Sequence, residues 1–138
     1  MATFITADEA LIHVSLAGVT FPTTIISWAT FQGGDLSAAT SQLLPGGLVS
    51  SIAMPGPKTR TNVTVTLPYS TDIHALINSI EAAVNNAMTA AYTPTDVDGN
   101  PNDLTITRTG LLKEPQIPNW DAKSGEPVFL GLVMECNA

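Results

Sequence analysis

The chain reads as an α+β domain, mostly antiparallel β with one helix laid on it. Three observations carry that reading. Several short stretches alternate apolar and polar residues, only one segment has a continuous helical stripe, and turn residues separate the stretches without any internal repeat. At 138 residues the length fits a single domain spanning 1–138. A chain of this size buries roughly 68% of its unfolded surface and needs no disulfide staples.

Ala10 to Leu16 alternates, with Ala10, Ile12, Val14 and Leu16 on one face. Thr24 to Phe31 reads as a second strand, with Ile26 and Trp28 on one side and Ile25, Ala29 and Phe31 on the other. Gln32 to Pro57 then runs QGGDLSAATSQLLPGGLVSSIAMPGP, broken at Gly33-Gly34, Pro45-Gly46-Gly47 and Pro55-Gly56-Pro57. Structureless loops beyond about 12–15 residues are uncommon in compact domains and are functional or disordered when they occur. Disorder calls for low hydrophobicity and high charge. This stretch instead holds Leu36, Leu43, Leu44, Leu48, Val49, Ile52 and Met54, with Asp35 its one charge. It reads as a long extended loop, over about 32–57, that another copy of the chain or a partner covers.

Arg60 to Leu67 alternates cleanly, with Val63, Val65 and Leu67 opposing Asn62, Thr64 and Thr66. Ser70-Thr71-Asp72 is a helix start, a capping hydroxyl followed by an acid in the first turn. The stripe of Ile73, Leu76, Ile77, Ile80, Val84, Ala87, Met88 and Ala91 predicts a helix over 71–92, ended by Pro94. Thr95 to Asp103 is a polar turn around Asp98-Gly99. Leu104 to Lys113 and Pro127 to Cys136 are further strands, separated by an irregular loop over Glu114 to Glu126.

Composition argues for contacts rather than chemistry. Charged residues make up 12% of the chain, about half the usual soluble level, so much surface is expected to end inside contacts. Five Lys+Arg against twelve Asp+Glu give a net charge of −7, a balance that repels phosphate rather than gripping it. The N-terminus MATFITADEA lacks the basic and apolar regions of a signal peptide, and no window approaches the roughly 20 apolar residues of a membrane span. Asn62-Val63-Thr64 is read as an accidental sequon.

No constellation suits catalysis, a cofactor or a metal. His13 sits mid-strand and His74 in the first helical turn, where a helix N-terminus disfavours the cation. No serine has the strand-turn-helix context of a nucleophile elbow. Asp96, Asp98, Asn100 and Asp103 imitate a calcium loop, but Gly99 comes early, Pro101 interrupts, and the twelfth position is Thr107. The glycine pairs lack the Gly-Lys-Ser/Thr ending of a phosphate loop. Cys136 beside Glu135 reads as a small apolar residue. Lys58 and Arg60, the one basic cluster, fit either a solvated strand end or an ion pair to an acid of a neighbouring subunit. Trp120-Asp121 fits an interface anchor or a local core plug.

The layout resembles the major tail tube proteins of long-tailed bacteriophages, particularly those with non-contractile tails. The matching parts are the N-terminal strand region, LLPGGLVSSIAMPGPKTRTNVTVTLPY, the capped STDIHALINSIEAAVNNAMTAAY, DVDGNPND leading to LTITRTGLLKEPQIPNWD, and PVFLGLVMEC. The resemblance implies two packed antiparallel sheets (sandwich- or barrel-like) flanked by the helix. It also implies homo-hexameric rings joined through strands into a barrel, stacked into a virion tail tube assembled in the host cytoplasm. Genomic DNA would pass through without tight binding, and other tail proteins would meet the tube ends. Inter-subunit contacts are then expected from Gly33, Gly34, Asp35, Leu43, Leu44, Pro45, Gly46, Gly47, Leu48, Lys58 and Arg60. Asp96, Asp98, Asp103 and Glu114 flank strands and are candidate channel-lining acids. The rival readings are a tail terminator or distal tail protein on the same fold, a small adhesin, and, last, a hydrolase.

Overall fold

The computed structural model describes residues 5, 10–21, 28–47, 50–95, 100–101 and 104–137. Ten strands and one helix follow in the order β1 (Ala10–Leu16), β2 (Thr30–Gly33), β3 (Leu36–Ala38), β4 (Ser41–Leu43), β5 (Ile52–Met54), β6 (Lys58–Arg60), β7 (Val63–Pro68), α1 (Thr71–Ala82), β8 (Ala87–Pro94), β9 (Ile106–Gln116) and β10 (Phe129–Cys136). Six of them form one sheet in the order β1-β8-β9-β10-β7-β2, and every neighbouring pair is antiparallel.

Alternation decides which face is core. Val63, Val65 and Leu67 of β7 stand opposite Met134, Leu132 and Leu130 of β10, and all six are buried. The same face continues through Leu112 of β9, Met88 and Ala90 of β8, and Leu16 of β1. Helix α1 lies on this face and buries Ile73 and Ile80 completely. Its start follows the sequence signal: Ser70 Oγ accepts from the Ile73 N–H at 3.4 Å, and Asp72 sits in the first turn.

The sheet is curled. Phe31 on the β2 edge meets Tyr92, one strand in from the opposite edge, with ring centroids 4.9 Å apart. A β-bulge shifts the β9–β10 register between Val133 and Met134, which bends the sheet and adds twist. The expected two packed sheets are thus one continuous sheet, a half-barrel whose two ends face each other across the core as a sandwich's sheets would.

The predicted helix over 71–92 is too long. α1 stops at Ala82, and Asn85 takes φ 74, the left-handed conformation that Asn tolerates better than most residues. β9 then captures the chain, with the Asn85 N–H donating to the Leu112 carbonyl at 2.8 Å and the Leu112 N–H to the Asn86 carbonyl at 3.0 Å. Asn86 Nδ2 also donates to the Ala17 carbonyl. Ala87, Met88 and Ala91 belong to β8, where alternation places Met88 and Ala90 in the core. The other bounds moved less. The second strand is Thr30–Gly33 rather than 24–31, with residues 24–27 outside the described residues. The later two are Ile106–Gln116 and Phe129–Cys136.

Two stability measurements follow. Asn85→Ala, forced into a left-handed backbone, should lower the urea unfolding free energy by about 1–2 kcal/mol, while Asn85→Gly should leave it nearly unchanged. Leu132→Ala, in the fully buried middle of β10, should cost about 2–5 kcal/mol.

Candidate functional site

The long stretch after β2 is a hairpin arm, not an extended loop. Thr30 pairs with Thr66 and Gly33 with Val63 in the sheet; Leu36 pairs with Arg60 and Ala38 with Lys58 beyond it. Each step outward on one limb matches one step back on the other, so a single antiparallel register runs from core to arm. It slips by one residue before Ser41↔Met54 and Leu43↔Ile52. At the slip Gly56 lies so close to the Ala39 carbonyl that any Cβ would collide with it. The limbs are tied by Thr61 N–H to Asp35 carbonyl, Asp35 N–H to Thr61 Oγ1, and Ala39 N–H to Pro57 carbonyl, each near 3 Å.

The arm's residues have no body to bury them. Every residue of β3, β4 and β5 is exposed. Pairing places Leu43, Ile52 and Met54 on one side of the ribbon, about half exposed, and Leu44 at the bend is 77% exposed. Ten residues of extended chain from Gly34 to Leu44 can reach roughly 30 Å. Pro45-Gly46-Gly47 forms the bend, with φ 82 at Gly47 and open space around both glycines. The arm thus holds an apolar ribbon face off the core, uncovered by the chain itself.

The root of the arm is tight. Gly33 takes φ 93, and a Cβ there would strike the Asn62 carbonyl oxygen. Gly34 is buried, takes φ 79, and has Arg108 against it. Arg60 Nη1 donates to the Gly34 carbonyl at 3.0 Å. Lys58 is exposed, two residues along the same side of the arm. The structure therefore brings Gly33, Gly34, Asp35, Lys58 and Arg60 together at the root, and Leu43, Leu44, Pro45, Gly46 and Gly47 at the far end. Leu48 lies outside the described residues, as do Asp96, Asp98 and Asp103. Glu114 is exposed at the β9 bulge, opposite Val133 and on the face of the sheet away from the helix.

That outer face is rich in hydroxyls: Thr64, Thr66, Thr89, Thr93, Thr107 and Thr109, with Thr30–Thr66 and Thr93–Thr105 hydroxyl pairs and Asn137 Nδ2 on Thr109. His13, Glu114 and Glu135 share it, with Lys113 at the bulge. At the sheet's sides, β1 and β2 have no strand partner on their outer edges among the described residues. Such edges are templates for another strand.

One residue escaped the sequence reading, and one of two readings of another is excluded. Arg108 occupies a core-face position between Ile106 and Gly110, a charge where alternation calls for an apolar residue. Trp120 is 66% exposed, so it is no core plug; it meets Tyr69 edge-on at 5.3 Å, and the Tyr69 hydroxyl hydrogen-bonds His74 Nδ1 at 2.7 Å. Cys136 is half-buried, its thiol pushed up by burial against the opposing pull of Arg60 and Arg108. Among the described residues no cluster of three or more His, Cys, Asp or Glu could hold a metal, and no helix is long and apolar enough to cross a membrane.

No protein-family profile matches the chain, and no curated protein does. Solved structures do. A chain of the anti-feeding prophage baseplate, determined by cryo-EM with 6-fold symmetry, aligns with a TM-score of 0.67 at 14% identity, covering 100% of this chain and 95% of that one. A chain of the PVC sheath-tube complex, an extracellular contractile injection system in its extended state, gives 0.64 at 19% identity over 97% and 88%. One from the PVC sheath/tube terminator gives 0.67 at 18% identity over 99% and 95%. All three come from contractile injection systems, whereas the sequence resemblance leaned towards non-contractile tails. The half-barrel with its single helix is the fold that this chain shares with them.

Proposed function

We propose that this chain is a non-enzymatic tail tube subunit. Copies join edge to edge into rings, and the rings stack into a conduit for phage DNA. The observation that carries the reading is the arm, a ribbon in register with the core whose exposed apolar face the body of the chain does not cover. Two further features support it. The free outer edges of β1 and β2 offer complementary strand templates, and joining one copy's β1 side to the next copy's β2 side removes both. A head-to-tail contact of this kind is heterologous: it closes into a ring at the right rotation and leaves stacking open along the axis. The six-fold count comes from the family resemblance, and the anti-feeding prophage baseplate has that symmetry.

The lining of such a channel would be the hydroxyl-rich outer face, because the other face is filled by α1 and the core. Its charges are Glu114 and Glu135, with Lys113 at the bulge and His13 beside them, on a chain of net −7. A neutral-to-acidic wall lets phosphate pass without holding it. Asp96, Asp98 and Asp103 remain proposed contributors. The likeness to contractile systems favours a tube of that type over a non-contractile one. A second reading, a terminator or baseplate component, is favoured by the likeness to chains from those two assemblies. It differs in outcome: a terminator forms one ring and stops.

Negative-stain microscopy of the concentrated protein should show tubes with a regular axial repeat. Isolated rings at every concentration would select the terminator reading, and a strictly monomeric protein would reject both. Replacing Leu36–Arg60 by Asn-Gly puts a two-residue turn between the paired Asp35 and Thr61 and leaves the six-stranded sheet intact. That variant should unfold as cooperatively as the parent yet form no tubes; normal tubes from it would show that the arm does not stack the rings.

A further inference from the structure

Three of the chain's five Lys+Arg residues gather at the arm root: Lys58, Arg60 and Arg108. They arrive from different elements. Lys58 and Arg60 share one side of β6, and Arg108 comes from the core face of β9. Both arginines are half-buried and converge on Gly34. Arg60 donates to its carbonyl, and the Arg108 stem lies so close that a Cβ at Gly34 would stand 3.4 Å from its Cγ and Nε. Both also act electrostatically on the Cys136 thiol.

Neither guanidinium has a carboxylate partner among the described residues. Arg60 satisfies one N–H on Gly34 and Arg108 one on the neighbouring Thr107 carbonyl, at 3.1 Å. Asp35 lies on the same cleft, but no ion pair links it to either arginine; its backbone is held by Thr61. An anion within reach of two neighbouring guanidiniums is attracted by both.

The arginines line a cleft of about 700 Å³. It lies between the two ends of the curled sheet, bounded by Ala10 and Ile12 of the free strand β1 on one side and by Phe31 and Gln32 of the free strand β2 on the other. A cleft lined by strands from the two ends of the sheet can take extended chain, and its cations call for carboxylates on that chain. With twelve Asp+Glu to five Lys+Arg, another copy of this protein carries that complement in surplus.

We infer that the Arg60–Arg108 cleft is an inter-subunit lock, filled on assembly by a carboxylate-bearing segment of a second copy of this chain. The inference rests on the assembly reading above and adds the partner chemistry of this one site. It also selects between the two roles that the sequence leaves open for Arg60, a solvated strand end and an ion pair to a neighbour.

The test uses full-length chain in which Arg60→Lys and Arg108→Lys place amines in the cleft. Nitrogen-14 and nitrogen-15 forms are mixed before assembly, treated with a zero-length carbodiimide, and mapped by mass spectrometry. Cross-links from position 60 or 108 to an Asp or Glu of the other isotope are expected. Tubes that give only same-chain cross-links, or none, overturn the lock. In parallel, Arg60→Glu with Arg108→Glu should raise the concentration needed for assembly by about tenfold or more at ~0.1 M salt, with the unfolding midpoint unchanged. An unchanged threshold overturns the lock while leaving the tube reading standing. A wild-type chain that never assembles removes both. Tight binding of a labelled DNA oligonucleotide, lost in the double variant, would assign the cleft to phosphate and overturn the carboxylate partner.

Discussion

One antiparallel register governs this molecule. The register that seats β2 against β7 in the sheet is interrupted at Gly34–Asp35 and resumes unshifted out to Ala38 and Lys58. Val63 and Val65 are wholly buried beneath it, so the arm leaves the body at an angle set by the core. A flexible loop would have to be ordered at every contact it made, at roughly 1–2 kcal/mol of backbone entropy per residue. A ribbon already hydrogen-bonded along both limbs has lost most of that freedom before it meets anything. That regularity is interrupted at the register slip beside Gly56 and at the Pro45-Gly46-Gly47 bend.

The strands of this fold were legible where one face alone is buried. Val63-Thr64-Val65-Thr66-Leu67 shows its core side in the letters, and β1 matched its expected bounds at both ends. Legibility failed where alanine removes the contrast. From Ala82 to Ala91 the small residues satisfy a 3.6-residue stripe and a two-residue alternation equally well, and alanine's helix propensity favours the wrong one. The deciding signal is Asn85-Asn86, which suits a polar helix face but also stops helices, since Asn enters the left-handed region. The curl was hidden for another reason. It arises from twist and a bulge between residues far apart in sequence, which no local pattern encodes.

The arm's exposed apolar surface was more legible than its shape. Apolar content without charge identified a surface needing cover, but breakers at three places suggested loop where the chain pairs with itself. Those breakers sit at the root, the tip and the slip of one hairpin, positions at which a ribbon needs Gly or Pro. Arg108 was invisible because strand alternation is read from apolar residues, and a lone charge in the sequence Ile106-Thr107-Arg108-Thr109-Gly110 looks like noise. Its meaning depends on Gly34, more than seventy positions away in sequence and in contact only because the sheet curls.

The curl also links the proposed contacts to one another. It brings the β1 and β2 ends of one sheet to either side of a single cleft, with the arm rising from the same rim. A neighbour's segment entering that cleft would therefore meet the two arginines and the arm root together. Apolar contact along the arm is non-directional and sets no register. Carboxylate–guanidinium pairing has geometry, and like charges at a misplaced contact repel. In an acidic chain short of cations, three of five placed at one rim would give a second copy a single well-defined place to dock. Affinity would then come from the arm and orientation from the cleft, the division of labour needed by a subunit that must repeat one contact without error along a growing assembly.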